Sequence, residues 1–253
     1  PIFIVILLSG CGILTAYAPN MLSMIVVAVM GVVVLLGIIY GLIPVLTFTQ
    51  GLLTGQKSIQ RASEAEEKSV WITALQMDRF FRQKKMDQLF REYRDKVKQQ
   101  RQNGQIVSDL EDILNEDVLA LYSWQGVVAQ IPGTLTGLGI LGTFIGLLRG
   151  LRNINFVTVE AALSSVQSIL TGIDTAFYTS IAGVILSILF NISNNILRNT
   201  MDREMGIFLE VFHRVVLPTT QEQERYRSRR ETRQIMDLLD RLPKKDDYSA
   251  SGM

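Results

Sequence analysis

Over much of this chain the apolar positions form long unbroken runs rather than stripes along one side of a helix. Residues 1–17 are apolar throughout, interrupted only by small residues such as Ser9 and Gly10. After the turn signal Ala18-Pro19-Asn20, residues 21–48 carry Val, Ile or Leu at almost every position. A third run, free of charge, extends from Gln125 to Leu148, and a fourth covers residues 161–197 with Asp174 as its one charged residue. Runs near or beyond ~20 residues are long enough to cross a bilayer. The pattern predicts an all-α polytopic membrane protein with four transmembrane helices, the first two joined as a hairpin. At ~40 Å if wholly helical, residues 21–48 exceed the hydrocarbon thickness, which calls for tilt or protrusion, and Pro44 is placed to kink their inner end.

Between the second and third runs the pattern changes. Trp71, Leu75, Met77 and Phe81, then Leu89, Phe90, Tyr93 and Val97, recur at helical spacing among charged residues. RQNGQ at 101–105 is a turn signal, and Ser108 with Glu111 has the form of a capping box opening a helix that runs into the third span. Beyond residue 198, Met201, Met205, Leu209 and Val216 line one side of a helical continuation that Pro218 interrupts. Residues 219–242 resume a strongly charged helix whose stripe, Ile235, Leu238, Leu239 and Leu242, is too narrow to be stable alone. The organisation expected is therefore a transmembrane hairpin at 1–49, a cytoplasmic helical insertion at 50–117, two pore-lining spans at 118–198, and a cytoplasmic extension at 199–253 that starts a tail.

Composition sharpens this picture through placement rather than totals. Of 253 residues 48% are hydrophobic and 19% charged, yet no charged side chain precedes Lys57, so the net charge of +1 conceals a segregated chain. Nearly all Lys and Arg lie in 57–98 and 198–245, which by the positive-inside rule puts the insertion, the extension and both termini in the cytoplasm. Arg149 and Arg152 violate that bias and call for a partner. The sequence starts without Met, and Ala16-Tyr17-Ala18 has a small-x-small form. Without a positive n-region, and with a second apolar run following at once, a retained hairpin is expected rather than a cleaved signal.

Little in the chain points to enzymatic chemistry. A single cysteine, Cys11, excludes an internal disulfide framework and reads as a packed thiol. The one histidine, His213, reads as structural, and no His/Cys cluster, phosphate loop or nucleophilic triad occurs. Asp109, Glu111, Asp112, Glu116 and Asp117 gather in one place, where they would hold Ca²⁺ or Mg²⁺ or, more plainly, form a solvated face favouring a helix N-terminus. The expectation is a protein that is no enzyme and has no cofactor.

The third and fourth runs are unlike lipid-facing spans. Residues 133–151, GTLTGLGILGTFIGLLRGL, place Gly133, Gly137, Gly139, Gly142 and Gly146 among Thr134, Thr136 and Thr143. Residues 171–186, TGIDTAFYTSIAGVIL, repeat the recipe with Gly172, Thr175, Thr179, Ser180 and Gly183. Small residues let membrane helices approach closely, and hydroxyls there bond across helices or to water. Function is expected here, with Gly137, Gly139, Gly142, Gly146, Gly172 and Gly183 packing the two spans together.

These two stretches, in this order and spacing, resemble the last two spans of the MotA/TolQ/ExbB proton-channel family, whose paired motifs read Gly-x-x-Gly-Thr-x-x-Gly and Gly-Ile-x-x-Ala-x-x-x-Thr-x-x-Gly. The resemblance covers about half the chain, and two apolar runs before the insertion are similar to the four-span plan of MotA. Within the family the glycine-rich wording and the charged extension look most like the ZorA branch, motor subunits of the Zorya anti-phage defence systems, which usually carry a long cytoplasmic tail. Carried over by motif, Thr143 corresponds to the pore threonine and Ser180 to the hydroxyl of the last span. Two positions depart from the pattern: Thr136 stands where the family usually has proline, with Pro132 a turn earlier, and the acidic position of ExbB and TolQ falls at Thr175, beside Asp174.

The resemblance implies a proton-channel subunit of a motor driven by the proton-motive force in the bacterial inner membrane, with Na⁺ as the other possible ion. It implies a homopentamer around a dimer of a single-span MotB/ExbD/ZorB-like subunit that brings a transmembrane Asp and a peptidoglycan-binding domain. The tail would signal to cytoplasmic effectors, and no direct contact with nucleic acid is implied. No carboxylate of this chain lies level with Thr143, so the ionisable group must come from elsewhere, with Thr143 and Ser180 hosting water or the passing proton. If those two are level in antiparallel helices, then Arg149 and Asp174 are level too, and a salt bridge between them, within or between subunits, is expected at the outer rim. Asp174 on the proton path itself is the alternative. Three readings stay open: a motor for defence, the same motor serving a flagellum or the envelope, and a passive membrane scaffold or receptor.

Overall fold

A computed structural model describes residues 2–64, 79–103, 107–152, 154, 157–215, 228, 231, 232, 235 and 236, and among them every regular element is helical. Three helical stretches are long and apolar enough to cross a membrane: Met21–Arg61, Gln125–Arg152 and Val159–Arg214. The sequence pattern predicts four. The difference lies in the first apolar run, which forms α1, Ile2–Ala16. Its 15 residues extend about 22 Å, short of the ~30 Å hydrocarbon layer. The expected helical insertion segment around Trp71, Leu75 and Met77 lies outside the described residues, as does most of 219–253.

The chain divides into two units, of which the first comprises residues 1–53 and 114–207. Here α1 and α2, Met21–Gly37, are the expected hairpin. Asn20 ends the turn and caps α2, its Oδ1 accepting from the Ser23 backbone N–H and hydroxyl, both at 3.0 Å. Close packing of the pair shows at Gly31, where a Cβ would come within 2.6 Å of the Cys11 sulfur. Pro44 does not break the helix. A π-helical turn, Ile38–Leu42, precedes it, with the Ile43 N–H reaching back five residues to the Ile38 carbonyl, and α3, Ile43–Glu64, continues. A proline ring crowds the carbonyl four residues back, and one wider turn makes room for it.

The segment expected to run as one helix from Asp109 into the membrane is broken instead. Asn115 caps a new helix, α5 (Glu116–Tyr122), by accepting from the Val118 N–H at 3.0 Å. Trp124, in the left-handed region at φ 51°, then turns the chain into the short α6, Gln125–Val128. Only then does α7, Ile131–Arg152, begin. The fourth apolar run opens α8, a helix of 57 residues, Val159–Val215.

In the other unit, residues 54–113 and 208–253, the expected helix around Leu89 and Val97 is α4, Lys84–Gln102. Its apolar side joins an aromatic cluster. Phe80 stacks on Phe90 with centroids 4.5 Å apart, Phe81 meets Phe208 at 5.2 Å, and Tyr93 meets Phe212 at 5.9 Å. Burial, then the nearby carboxylates of Asp109 and Asp112, holds the Tyr93 phenol well above its usual pKa, and its hydroxyl donates to the Ser108 carbonyl at 3.2 Å. Ser108 does not form a capping box with Glu111, because its backbone and hydroxyl are engaged by the Gln100 carboxamide. Asp109 caps a 3₁₀ turn, Leu110–Asp112, and lies 2.7 Å from His213 Nδ1, the structural role expected of that histidine. Asp112 faces Lys96 at 3.5 Å.

Within the first unit α7 packs on α8 closely enough for backbone to meet backbone. A Cβ on Gly146 would lie 2.9 Å from the Ala176 nitrogen and the Gly172 carbonyl oxygen, whereas one on Gly137 meets nothing within 4 Å. Gly146→Ala is therefore expected to destabilise the folded chain by about 1–3 kcal/mol, since the obstructing atoms are backbone. Gly137→Ala, in open space, is expected to be neutral or slightly stabilising through helix propensity. Equilibrium unfolding of both variants in detergent micelles checks the contrast.

Candidate functional site

The two glycine-rich stretches meet as antiparallel helices, backbone against backbone. Leu135, Gly139, Gly142, Gly146 and Gly150 form the buried edge of α7. Facing it on α8 are Gly172, Thr175, Ala176, Thr179 and Gly183. A Cβ on Gly183 would lie 2.7 Å from the Leu135 carbonyl oxygen, and one on Gly172 would lie 2.7 Å from that of Gly146. One on Gly142 would strike the Thr179 hydroxyl at 2.5 Å. Five of the six glycines singled out from the sequence thus lie in the seam, and Gly137 lies on the opposite, exposed side of α7. Gly150 belongs to the seam as well, its added Cβ falling 3.1 Å from the Gly172 Cα.

Side-chain hydroxyls in the seam are satisfied by their own helix. Thr179, fully buried, donates to the carbonyl oxygens of Thr175 and Ala176 at 3.0 and 3.2 Å. Thr175 donates to that of Thr171 at 2.8 Å. Such back-bonding hides a polar group from an apolar medium, where an unpaired hydroxyl costs about 1–3 kcal/mol.

Thr143 and Ser180 flank this seam. Both are half-buried, and the Thr143 hydroxyl bonds to the Ile140 carbonyl. Their levels lie within about a turn of each other: Gly139 meets the Ser180 backbone and Gly142 meets Thr179, which puts Thr143 about 3–6 Å along the seam from Ser180. Helical phase fixes which flank they occupy. Tyr178 and Ser180 sit on either side of Thr179, rotated about 100° each way. The Tyr178 hydroxyl bonds to the Leu14 carbonyl of α1, so Ser180 points to the flank that α1 leaves open. Large apolar side chains continue that open side, with Ile140 and Val184 exposed.

Arg149 and Asp174 behave differently. Both are exposed, and within the chain no ion pair joins them. Both register and rotation separate them: with Gly150 against Gly172 and Ile169, Arg149 is offset from Asp174 along the seam, and the two side chains point in different directions. Asp174 is turned toward the Tyr178 side of α8, and Arg149 lies about 120° around α7 from the direction of Thr143.

The hairpin is latched to α8 by a residue the sequence reading did not single out. Asn20 donates its Nδ2 to the Thr175 hydroxyl at 2.6 Å while its Oδ1 caps α2. Thr175 is the position at which the resemblance places an acid in ExbB and TolQ; here it is buried and bonded to a neutral amide. The signal available in the sequence was Asn20 itself, a capping residue directly before an apolar run.

Comparison with known proteins gives a family model described as "Anti-phage protein ZorA, Zorya type I system", which matches residues 7–200. The chain is also similar to the curated Zorya protein ZorA of Escherichia coli (Crooks strain), 47% identical over 60 residues that make up 24% of this chain and 10% of that protein. A Zorya protein ZorA of Escherichia coli O139:H28 is 43% identical over 60 residues, 24% of this chain and 8% of that protein. The matched segment is thus a tenth or less of the length of these relatives.

The latch generates a prediction that separates capping from contact. Asn20→Ala removes both, whereas Thr175→Val removes only the bond. Their double-mutant cycle, read from unfolding in micelles, is expected to give a coupling of about 0.6–1.7 kcal/mol, the size of an interhelical hydrogen bond in a membrane protein. Strict additivity would mean that the two side chains do not interact.

Proposed function

The chain belongs to the family of the anti-phage protein ZorA of type I Zorya systems, and on that premise we propose that it is the proton-channel subunit of an inner-membrane defence motor rather than an enzyme. The observation that carries the reading is the flank of the α7–α8 seam. Thr143 and Ser180 stand there within about a turn of each other, on the side away from α1, with no carboxylate among the described residues beside them.

A proton crossing that level needs a carrier, and a bare carboxylate in an apolar barrier costs several kcal/mol. The carrier assigned in this proposal is the transmembrane Asp of a single-span partner subunit of the MotB/ExbD/ZorB kind. Protonated, it passes the apolar wall of Ile140 and Val184. Ionised, it is solvated by the two hydroxyls and the water they hold. Five copies of this chain would surround a dimer of that partner, whose peptidoglycan-binding domain holds it to the cell wall. Each loading and release then steps the ring around the fixed dimer, and the cytoplasmic extension carries the motion to effectors. Protons are the ion of choice, with Na⁺ served by the same oxygens.

In this arrangement Gly137, exposed on the back of α7, is free for contact with a neighbouring copy, and Arg149 is free to find Asp174 across a subunit boundary. The domain plan follows: a hairpin at 1–49, an insertion at 50–117, pore-lining spans at 118–198 and an extension from 199, with the insertion and the extension in the cytoplasm. The apolar stretches of the three long helices, each long enough to cross a bilayer, support placement there.

Replacing Thr143 and Ser180 together by Ala is the direct test. Assembly with the partner is expected to survive, because Ala packs well between membrane helices, while proton uptake into vesicles and phage protection fall at least about tenfold, corresponding to about 1.4 kcal/mol on the transfer step. Each single variant is expected to be milder. An assembled double variant with full protection would refute the reading.

A further inference from the structure

Gln125, the first residue of α6, is 5% exposed, and neither its Oε1 nor its Nε2 has a hydrogen-bond partner within the chain. Leaving both ends of a carboxamide unpaired in a closed interior costs about 1–3 kcal/mol per group. The backbone shows that this placement is imposed. Trp124 adopts the left-handed region at φ 51° and ψ 37°, uncommon for a residue with a bulky side chain, and it is this turn that directs Gln125 inward.

Irregular backbone from a second element converges on the same place. Val128, one turn on from Gln125, packs against Gly41 in the π-helical turn, where a Cβ would lie 2.7 Å from its methyls. The Tyr40 and Trp124 rings sit 6.4 Å apart. The Tyr40 carbonyl has lost its usual donor four residues ahead, because Pro44 has no N–H. α8 closes the third side. Ile131 and Phe190 meet over Gly37, so one turn further along each element comes Val128, Asn194 and Gly41. Asn194 is 8% exposed. Polar groups of α6, the π turn and α8 thus share one level of an otherwise apolar interior.

The chemistry of these groups narrows what can join them. A cation would satisfy Oε1 and leave Nε2 unpaired; an anion would do the reverse. A second polypeptide cannot reach a side chain already enclosed by its own chain. A guest that donates and accepts at once and fits a closed space is water. We propose that Gln125 anchors a buried water site, bridging its carboxamide to the Tyr40 carbonyl and the Asn194 side chain, and so tying α6 and the π turn to α8. Buried waters of this kind make about three hydrogen bonds, the number of groups present here. The site stands independently of the motor reading, since nothing in it depends on proton transfer.

Radiolytic hydroxyl labelling of the assembled protein in lipid nanodiscs tests it, because bound water yields radicals that oxidise the side chains beside it. In the wild type, Val128 is expected to be labelled despite its burial, at a rate at least five times that of Leu135 and Val34, equally buried but remote from the site. Gln125→Met, which conserves volume, is expected to bring Val128 down to the rate of those two references while exposed Leu121 stays unchanged. Val128 as protected as Leu135 in the wild type would overturn the proposal with no variant needed. So would undiminished labelling of Val128 in an assembled Gln125→Met protein.

Discussion

The contact of α7 with α8 is set by carbonyl oxygens and α-carbons, not by side chains. At Gly146 against Gly172, and at Gly139 against Gly183, the added methyl of an alanine would fall inside the van der Waals envelope of the opposite backbone. Lipid tails are as apolar as leucine, so two membrane helices gain little from burying oily surface together; they gain from fitting closely. Close fit fixes register. Once Gly139 is against the Ser180–Gly183 turn, the levels and flanks of Thr143 and Ser180 follow from helix geometry alone. The hydroxyls of Thr175 and Thr179 bond to their own helix carbonyls, as that of Thr143 does to Ile140; what sets Thr143 and Ser180 apart is that they face the flank and not the seam.

The hairpin gives the seam a closed side and an open one. Tyr178 reaching α1 and Asn20 reaching Thr175 secure the hairpin along one edge of α8. Cys11 against Gly31, and Ile131 with Phe190 over Gly37, show the same economy of small residues where helices cross. In the proposed motor, a site that meets a carboxylate from another subunit needs such asymmetry: a rigid back that holds register and an uncovered front. The exchange of an acid for a bonded threonine at position 175 fits this division, since that position belongs to the secured edge.

What the sequence disclosed, and what it withheld, divides along physical lines. The apolar runs, the hairpin turn and the two glycine-rich stretches were legible because composition and spacing act locally, and the family membership followed from the same motifs. Glycine spacing identified five seam positions correctly but also admitted Gly137, because a count of small residues carries no rotational phase. Level-matching placed Arg149 opposite Asp174 by setting Thr143 level with Ser180, a register the glycine contacts shift by a few residues, and without asking which way each side chain points. Three long spans stand where four were expected, because the first apolar run, residues 1–17, forms a helix of only 15 residues. The breaks before α7 were hidden too. Nothing at Trp124 announces a left-handed turn, and the apparent capping box at Ser108 lost to a carboxamide, Gln100, from another helix. Asn20 carried a signal for its cap but none for its contact with Thr175, which is 155 residues away.

The central claim is that one flank of the seam is wet and its opposite face is not. Cysteine accessibility measures this directly. In a Cys11→Ala background, single cysteines at positions 143 and 180 are placed in the assembled complex in lipid and exposed to a small hydrophilic thiol reagent. Cysteines at 137 and 141, on the far side of α7, serve as the contrast. The account predicts that 143 and 180 react readily while 137 and 141 stay protected. Protection of 143 and 180 equal to that of 137 and 141 would contradict it.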